Sequence, residues 1–417
     1  MSKLYRTTIV CIIALMVAPC GGQVTESPPT ETALPELPEV HIVRHPEPVD
    51  FSAYYLELTS IPKFDPSSTD IFQIDLRSRD LTKIDMTASL TDLLYADFDS
   101  KTQWPASSKM PVGFDWQKIM EIGKDPGLGI RAVHDQGVTG KGVGIAIIDQ
   151  TLLVDHIEYK DRIRVYEEAE DITGGWLETQ MHGAAVASIA VGETVGVAPD
   201  ADLYFIADSM CSDGTYESND YACLAKSVRR IIEINKGLPK GRKIRVLSIS
   251  VGWGPESNGY DEITAAVNEA KEAEIFIISS SLSETYGLNF HGLGRYPLAN
   301  PNEFTSYEPG SWWQKYFYED GLQTSTLLVP MDSRTTASPT GTEDYVFYRQ
   351  GGWSWSIPYL AGMYALAVQV NPNITPDEFW KIALDTGQTI QIQHNGKDYD
   401  FGVILDPQAL IDTIENK

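Results

Sequence analysis

IRVLSISVGWGPESNGYDEITAAVNEAKEAEIFIISSS (residues 244–281) is an apolar run, a helical repeat and a second apolar run in close succession. Its first part, 244–254, reads as a buried strand, 261–273 as an amphipathic helix, and 275–281 as another buried strand. The same grammar extends towards the N-terminus. ACLAKSVRRIIEIN (222–235) is amphipathic, ADLYFIAD (201–208) is a continuous apolar strand, and HGAAVASIAVG (182–192) is small and apolar at helical spacing. Ahead of these, GVTGKGVGIAIIDQ (137–150) leads through glycine turns into the apolar strand VGIAIID. Strands that are apolar on both faces and alternate with helices specify an α/β fold. The expected architecture is a doubly wound, mostly parallel sheet with helices on both faces. Ligands of such sheets bind beyond the carboxyl ends of the strands, where Asp149 and Ser250 fall. Further on, Thr375-Pro376-Asp377-Glu378 supplies an N-cap, a first-turn proline and an acidic third position ahead of a helix in FWKIALDTG.

Three short segments carry side chains of chemical interest. IAIIDQ places Asp149 at the end of a buried strand, MHGAAVAS places His182 at a helix start, and GGWSWSIPYLAG (351–362) places Ser354 just before a helix bearing Pro358. Taken singly, each has a plainer reading: a turn residue, a core or helix-start histidine, an N-cap serine. Together they have the composition of a nucleophilic triad. A serine hydroxyl needs a neutral imidazole to accept its proton, and the imidazole needs a carboxylate to fix its tautomer and stabilise its charged form. A helix start at the serine adds oriented amides where negative charge develops.

These segments resemble the three signature segments of subtilisin-like serine peptidases, in the order Asp, His, Ser. Gly352, Ser354, Ser356, Pro358, Ala361 and Gly362 match the pattern around the nucleophile, and His182, Gly183, Val186 and Ala187 match that around the histidine. VGVAPDADL (195–203) and NPNITPDEFWKIALDT (371–386) are similar to further family segments, so the likeness spans roughly residues 125–415. The resemblance implies a serine endopeptidase acting through an acyl-enzyme. Asp149 would orient, His182 would act as general base and acid, and Ser354 would be the nucleophile. It also implies that Ser250, Val251 and Gly252 bind the substrate backbone by strand addition.

The pattern is broken in places. Gln150-Thr151 follow the aspartate, Ala184-Ala185 follow His182-Gly183, and bulky Trp353 and Trp355 flank the serine, where they would narrow the cleft or cover the hydroxyl. At the oxyanion position, where the family places a side-chain amide, stand Ser281 and Leu282. Loss of that donor costs about 10²–10³ in turnover, a figure borrowed from subtilisin. Ser280, Ser281, Asn289 and His291 are candidate replacements, and His156 and His291 otherwise read as structural. A catalytically impaired relative that binds peptide or serves as a scaffold is the alternative function.

The chain has 417 residues, with 32 basic against 58 acidic side chains, for a net charge of −26. That balance disfavours nucleic acid and charge-driven adsorption to anionic lipid. Lys3 and Arg6 precede an apolar run (7–19) too short to span a bilayer but suited to a secretory signal (1–20). The run ends at Cys20-Gly21-Gly22, which resembles a lipoprotein processing site despite Pro19. The expectation is a protein on the outer face of the cell membrane, lipid-anchored through Cys20, or secreted. Residues 21–40 read as an extended tether rich in Pro, Thr and Glu. Residues 41–125 read as a small subdomain or pro-region, in which FQIDLRSRDLTKIDM (72–86) alternates like a strand. Residues 126–417 form the peptidase domain, and a monomer acting on polypeptide is expected. Cys211 and Cys223 are either one disulfide or two free thiols. No cofactor is expected. Calcium is common among relatives, but no acidic cluster here names ligands for it.

Overall fold

The computed structural model describes residues 34–54, 57–68, 70, 72–322 and 325–417. The signal-like segment, Cys20 and most of the tether lie outside them.

The central sheet has six parallel strands in the order His41–Ile42, Ile163–Glu168, Asp202–Ala207, Gly144–Asp149, Ile244–Ile249, Phe276–Ser279. Alternation along Gly144–Asp149 divides its side chains between two cores. Ile145 and Ile147 pack with the helices Met181–Val191 and Trp353–Val370, hereafter the histidine and serine helices. Ala146 and Ile148 pack with the helices Tyr221–Gly237 and Tyr260–Glu272. Helices therefore cover both faces, as the apolar runs require. The two strands that follow Gly144–Asp149 in sequence lie to one side of it, and the next two lie to the other. This reversal opens a crevice beyond the carboxyl ends of the strands.

A second sheet runs Gln388–His394, Lys397–Ile404, Thr326–Pro330, Asn289–Arg295, Tyr307–Pro309. The helix Pro376–Thr386 starts as expected: Thr375 Oγ1 accepts from the Glu378 amide at 3.2 Å. The Glu378 carboxylate does not turn back to complete the box; it pairs with Lys417 at 3.3 Å.

Pro35–Lys417 is one compact unit. His41–Ile42 adds to the edge of the central sheet, and Phe98–Asp99 pairs with Tyr345–Tyr348 in a three-stranded antiparallel sheet with Arg334–Ala337. Between these, 72–86 is not a strand. Asp80 and Asp85 each accept the amide and hydroxyl of the threonine two residues on, which bends the chain into successive turns. Such local capping competes with a ladder and overrides the alternation. The alternating apolar residues Ile74, Leu76, Leu81, Ile84 and Met86 still point inward, onto Phe98, Phe114 and Phe347.

Candidate active site

Asp149 ends its strand with the carboxylate almost fully enclosed, and the Gln150 amide donates to its Oδ1 at 2.8 Å. His182 is the second residue of the histidine helix, and its Nδ1 lies 2.7 Å from the same Oδ1. The approach depends on Gly183: a Cβ there would stand 2.3 Å from the Gln150 carbonyl oxygen. Glycine thus lets the helix start press against the strand end, bringing imidazole to carboxylate. Burial alone pulls the His182 pKa down, but the Asp149 charge and hydrogen bond together outweigh it, leaving the imidazole above its ordinary value.

Ser354 is half-buried in the first turn of the serine helix, capped by Gly352. Its Oγ donates to the Ser250 carbonyl at 3.5 Å, and the Ser250 hydroxyl donates back to the Ser354 carbonyl at 3.3 Å. Pro358, one turn on, has no N–H to give that carbonyl, so Ser250 fills the gap. No hydrogen bond joins Ser354 to His182, although the rings of His182 and Trp355 stand 5.4 Å apart. The structure therefore joins Asp149 to His182 and Ser354 to Ser250, with Trp355 linking the two pairs.

The flanking tryptophans diverge. Trp355 is buried between His182 and Tyr348. Trp353 packs against Phe290, His291 and Trp312. His291 also stacks on Trp313 at 4.5 Å, and burial pushes its pKa down to about 4, so it is a neutral ring held among aromatic side chains. His156 is fully enclosed, with Nε2 2.8 Å from the Asp344 carbonyl, in keeping with a structural role.

The Ser281 hydroxyl is not available as a replacement oxyanion donor. It accepts from the Trp253 amide and donates to the Trp253 carbonyl, both at 2.6 Å. Leu282 is buried in the apolar core. Ser280 differs: its amide donates to the Val251 carbonyl at 3.1 Å, but its hydroxyl is unbonded among the described residues. It lies against the Ser250–Gly252 edge, where a Cβ on Gly252 would come within 3.0 Å of the Ser280 Cβ.

A cavity of about 180 Å³ opens at the crevice, and Asp149, His182, Ser250 and Val251 contribute to its walls. Asp208, Met210, Tyr216 and Asn219 line it too, and sequence reasoning missed all four. For Asp208 and Met210 the signal was their position just after a strand end beside Asp149; Tyr216 and Asn219 lie further along the loop and had none. Burial pushes the Asp208 carboxyl up to about 6, against hydrogen bonds from Ser227 and Met210 that pull it down. Cys211 and Cys223 are joined in a disulfide that closes the loop bearing Tyr216 and Asn219. Among the described residues, no group of three or more His, Cys, Asp or Glu side chains is placed to hold a metal ion. Nor is any described helix long and apolar enough to cross a membrane.

Residues 140–315 match the family model described as the subtilase family of peptidases. The match includes Asp149 and His182 and stops short of Ser354. The chain is 25% identical over 249 residues to subtilisin E of Bacillus subtilis (strain 168), covering 58% of this chain and 60% of that protein. It is 34% identical over 87 residues to the subtilisin-like protease PopC of Myxococcus xanthus (strain DK1622), covering 18% of each. It thus spans less than two thirds of the length of these relatives. Among solved structures, the prenylagaramide maturation protease PagA aligns with a TM-score of 0.46 and 16% identity, covering 69% of this chain and 99% of that one. Residues 140–315 are thus similar to the subtilase family, and the chain is similar at low identity to subtilisins.

Proposed function

We propose that this chain is a serine endopeptidase in which Asp149, His182 and Ser354 form the triad and extended polypeptide is the substrate. The observation that carries the reading is the 2.7 Å contact between His182 Nδ1 and Asp149 Oδ1, at the carboxyl edge of a sheet inside a subtilase-matched segment. The carboxylate holds the proton on Nδ1, which leaves Nε2 free to act as base. For attack, the Ser354 hydroxyl turns from the Ser250 carbonyl to His182; catalytic hydrogen bonds are often loose before substrate binds. Oγ then bonds to the scissile carbonyl carbon as its proton passes to Nε2. The tetrahedral intermediate collapses to an acyl-enzyme, and the leaving amine takes the proton. Water, deprotonated by the same imidazole, releases the acid and restores Ser354. Amides at the start of the serine helix and the free Ser280 hydroxyl are the donors proposed for the developing oxyanion.

The second reading, a peptide-binding protein that does not cut, is favoured by one observation: no side chain at the oxyanion position is free to donate, the Ser281 hydroxyl being spent on Trp253 and the Leu282 side chain being apolar. One experiment separates the two. Folded wild-type protein should label with a fluorophosphonate and digest casein, and Ser354→Ala should do neither. Folded wild type that does not label removes the peptidase reading.

The sequence features at the N-terminus support export, with lipid attachment at Cys20 and the tether 21–40 holding the protein on the outer face of the membrane. Metabolic labelling with a radiolabelled fatty acid, lost in Cys20→Ala, tests this. A monomer is proposed, checked by light scattering on the chain lacking residues 1–20.

A further inference from the structure

We propose that Tyr216 is a latch on the substrate-binding edge, closed in the free protein and opened only by peptides long enough to reach Gly252. The inference rests on reading Ser250–Gly252 as the edge to which a peptide adds. Strand addition needs both a free N–H and a free carbonyl along the edge. Gly252 offers only half of this. Its N–H is unbonded among the described residues, whereas its carbonyl accepts from the Tyr216 hydroxyl at 2.8 Å and the Tyr221 hydroxyl at 2.5 Å. A carbonyl oxygen has two lone pairs, so two phenols fill it.

The two tyrosines are not equally held. Tyr221 is 3% exposed, begins the helix Tyr221–Gly237, and packs its ring against Trp253 at 5.9 Å. Tyr216 is 64% exposed and belongs to a short turn, Tyr216–Ser218, within the loop closed by the Cys211–Cys223 disulfide. The base of that loop is fixed by the disulfide and its interior by Ser212, Asp213 and Ser218. Tyr216 can therefore swing into solvent without unpacking the core or moving the loop. It also lines the same cavity as Asp149 and His182, so the latch lies across the approach to the candidate catalytic pair.

The exchange is like for like. An incoming peptide N–H takes the place of the Tyr216 O–H on the Gly252 carbonyl, while a peptide carbonyl gains the Gly252 N–H. Peptides that stop short of Gly252 make neither bond and leave the latch shut. Removing the Tyr216 hydroxyl frees the acceptor in advance. One net hydrogen bond then favours long peptides by about 3- to 10-fold.

The test measures binding in full-length Ser354→Ala protein, where no turnover intervenes. Fluorescein-tagged random-sequence pools of hexapeptides and of dipeptides are titrated by polarisation, with and without Tyr216→Phe. Tyr216→Phe should tighten the hexapeptide pool by about 3- to 10-fold relative to the dipeptide pool. An equal or weaker relative affinity for the hexapeptides overturns the latch. Failure of both pools to bind either protein overturns it together with the substrate edge. Fluorophosphonate labelling of the Ser354-containing protein is scored separately. Labelling with a flat binding ratio removes the latch alone, and a shifted ratio without labelling removes the chemistry alone.

Discussion

Ser250 and Ser354 exchange hydrogen bonds, each hydroxyl reaching the other's carbonyl, because Pro358 leaves the Ser354 carbonyl without its helical donor. The proline sits one turn beyond the candidate nucleophile, and Ser250, on the proposed substrate edge, makes good the missing bond. Ser250→Ala should destabilise the protein by about 1 kcal/mol, the cost of a part-buried acceptor left unpaired. In a Pro358→Ala background, which restores an N–H in the helix, the same change should cost measurably less. Urea melts of the four proteins give the coupling directly, and equal costs in both backgrounds would contradict the compensation.

Gly183→Ala should separate His182 from Asp149. A methyl group 2.3 Å from the Gln150 carbonyl oxygen forces the histidine helix away from the strand end. A shift of about 1 Å costs on the order of 10²-fold in turnover. Peptidase assays beside thermal melts check this, because the loss in turnover should exceed what the unfolded fraction explains.

The pH profile follows from the electrostatics of His182. Asp149 holds its pKa above 6.5 against the pull of burial. The base must be neutral, so kcat/KM should rise with pH through a midpoint above 6.5 and fall away below it. In Asp149→Asn only burial remains, so the midpoint should move below 6.5, with turnover down by about 10⁴-fold. Initial rates across pH 5–9 on one peptide substrate measure both effects.

Asp208 makes a stability prediction of its own. Its folded pKa of about 6 lies above the ordinary 3.8, so the folded state keeps a proton that the unfolded chain has released. Stability from this group is complete below 3.8 and is lost as pH rises through about 6. At about 1.4 kcal/mol per unit, the loss is about 3 kcal/mol. Asp208→Asn removes this dependence. The wild-type minus variant difference in unfolding free energy should therefore fall by about that amount between pH 4 and pH 7, as measured by urea titration.

The parallel sheet was legible because its strands are buried on both faces, which leaves an unbroken apolar run in the sequence. Ile145–Ile148 and Phe276–Ile278 fell where such runs predict. The Asp149–His182 contact was legible because two strand-and-helix segments carried recognisable neighbours, Gly183 above all. Where the sequence misled, local chemistry outbid pattern. The alternation of 72–86 resolved into aspartate-capped turns, and Ser281, a candidate donor by position, turned out to be committed to the Trp253 backbone. Tyr216 was invisible beforehand because a loop aromatic shows no period. Only the fold brings it to Gly252.

The early residues are woven into the rest by strand pairing: His41–Ile42 against Val165–Tyr166, and Phe98–Asp99 against Val346–Phe347. Excising them would strip a ribbon from each of two sheets and lay bare Phe347, whose ring stacks on Phe98 at 5.1 Å. A protease that matures by shedding its leading segment needs a seam along which to part. In this chain the stitching crosses that seam twice, so a nick near residue 125 would leave both leading strands still held in their sheets.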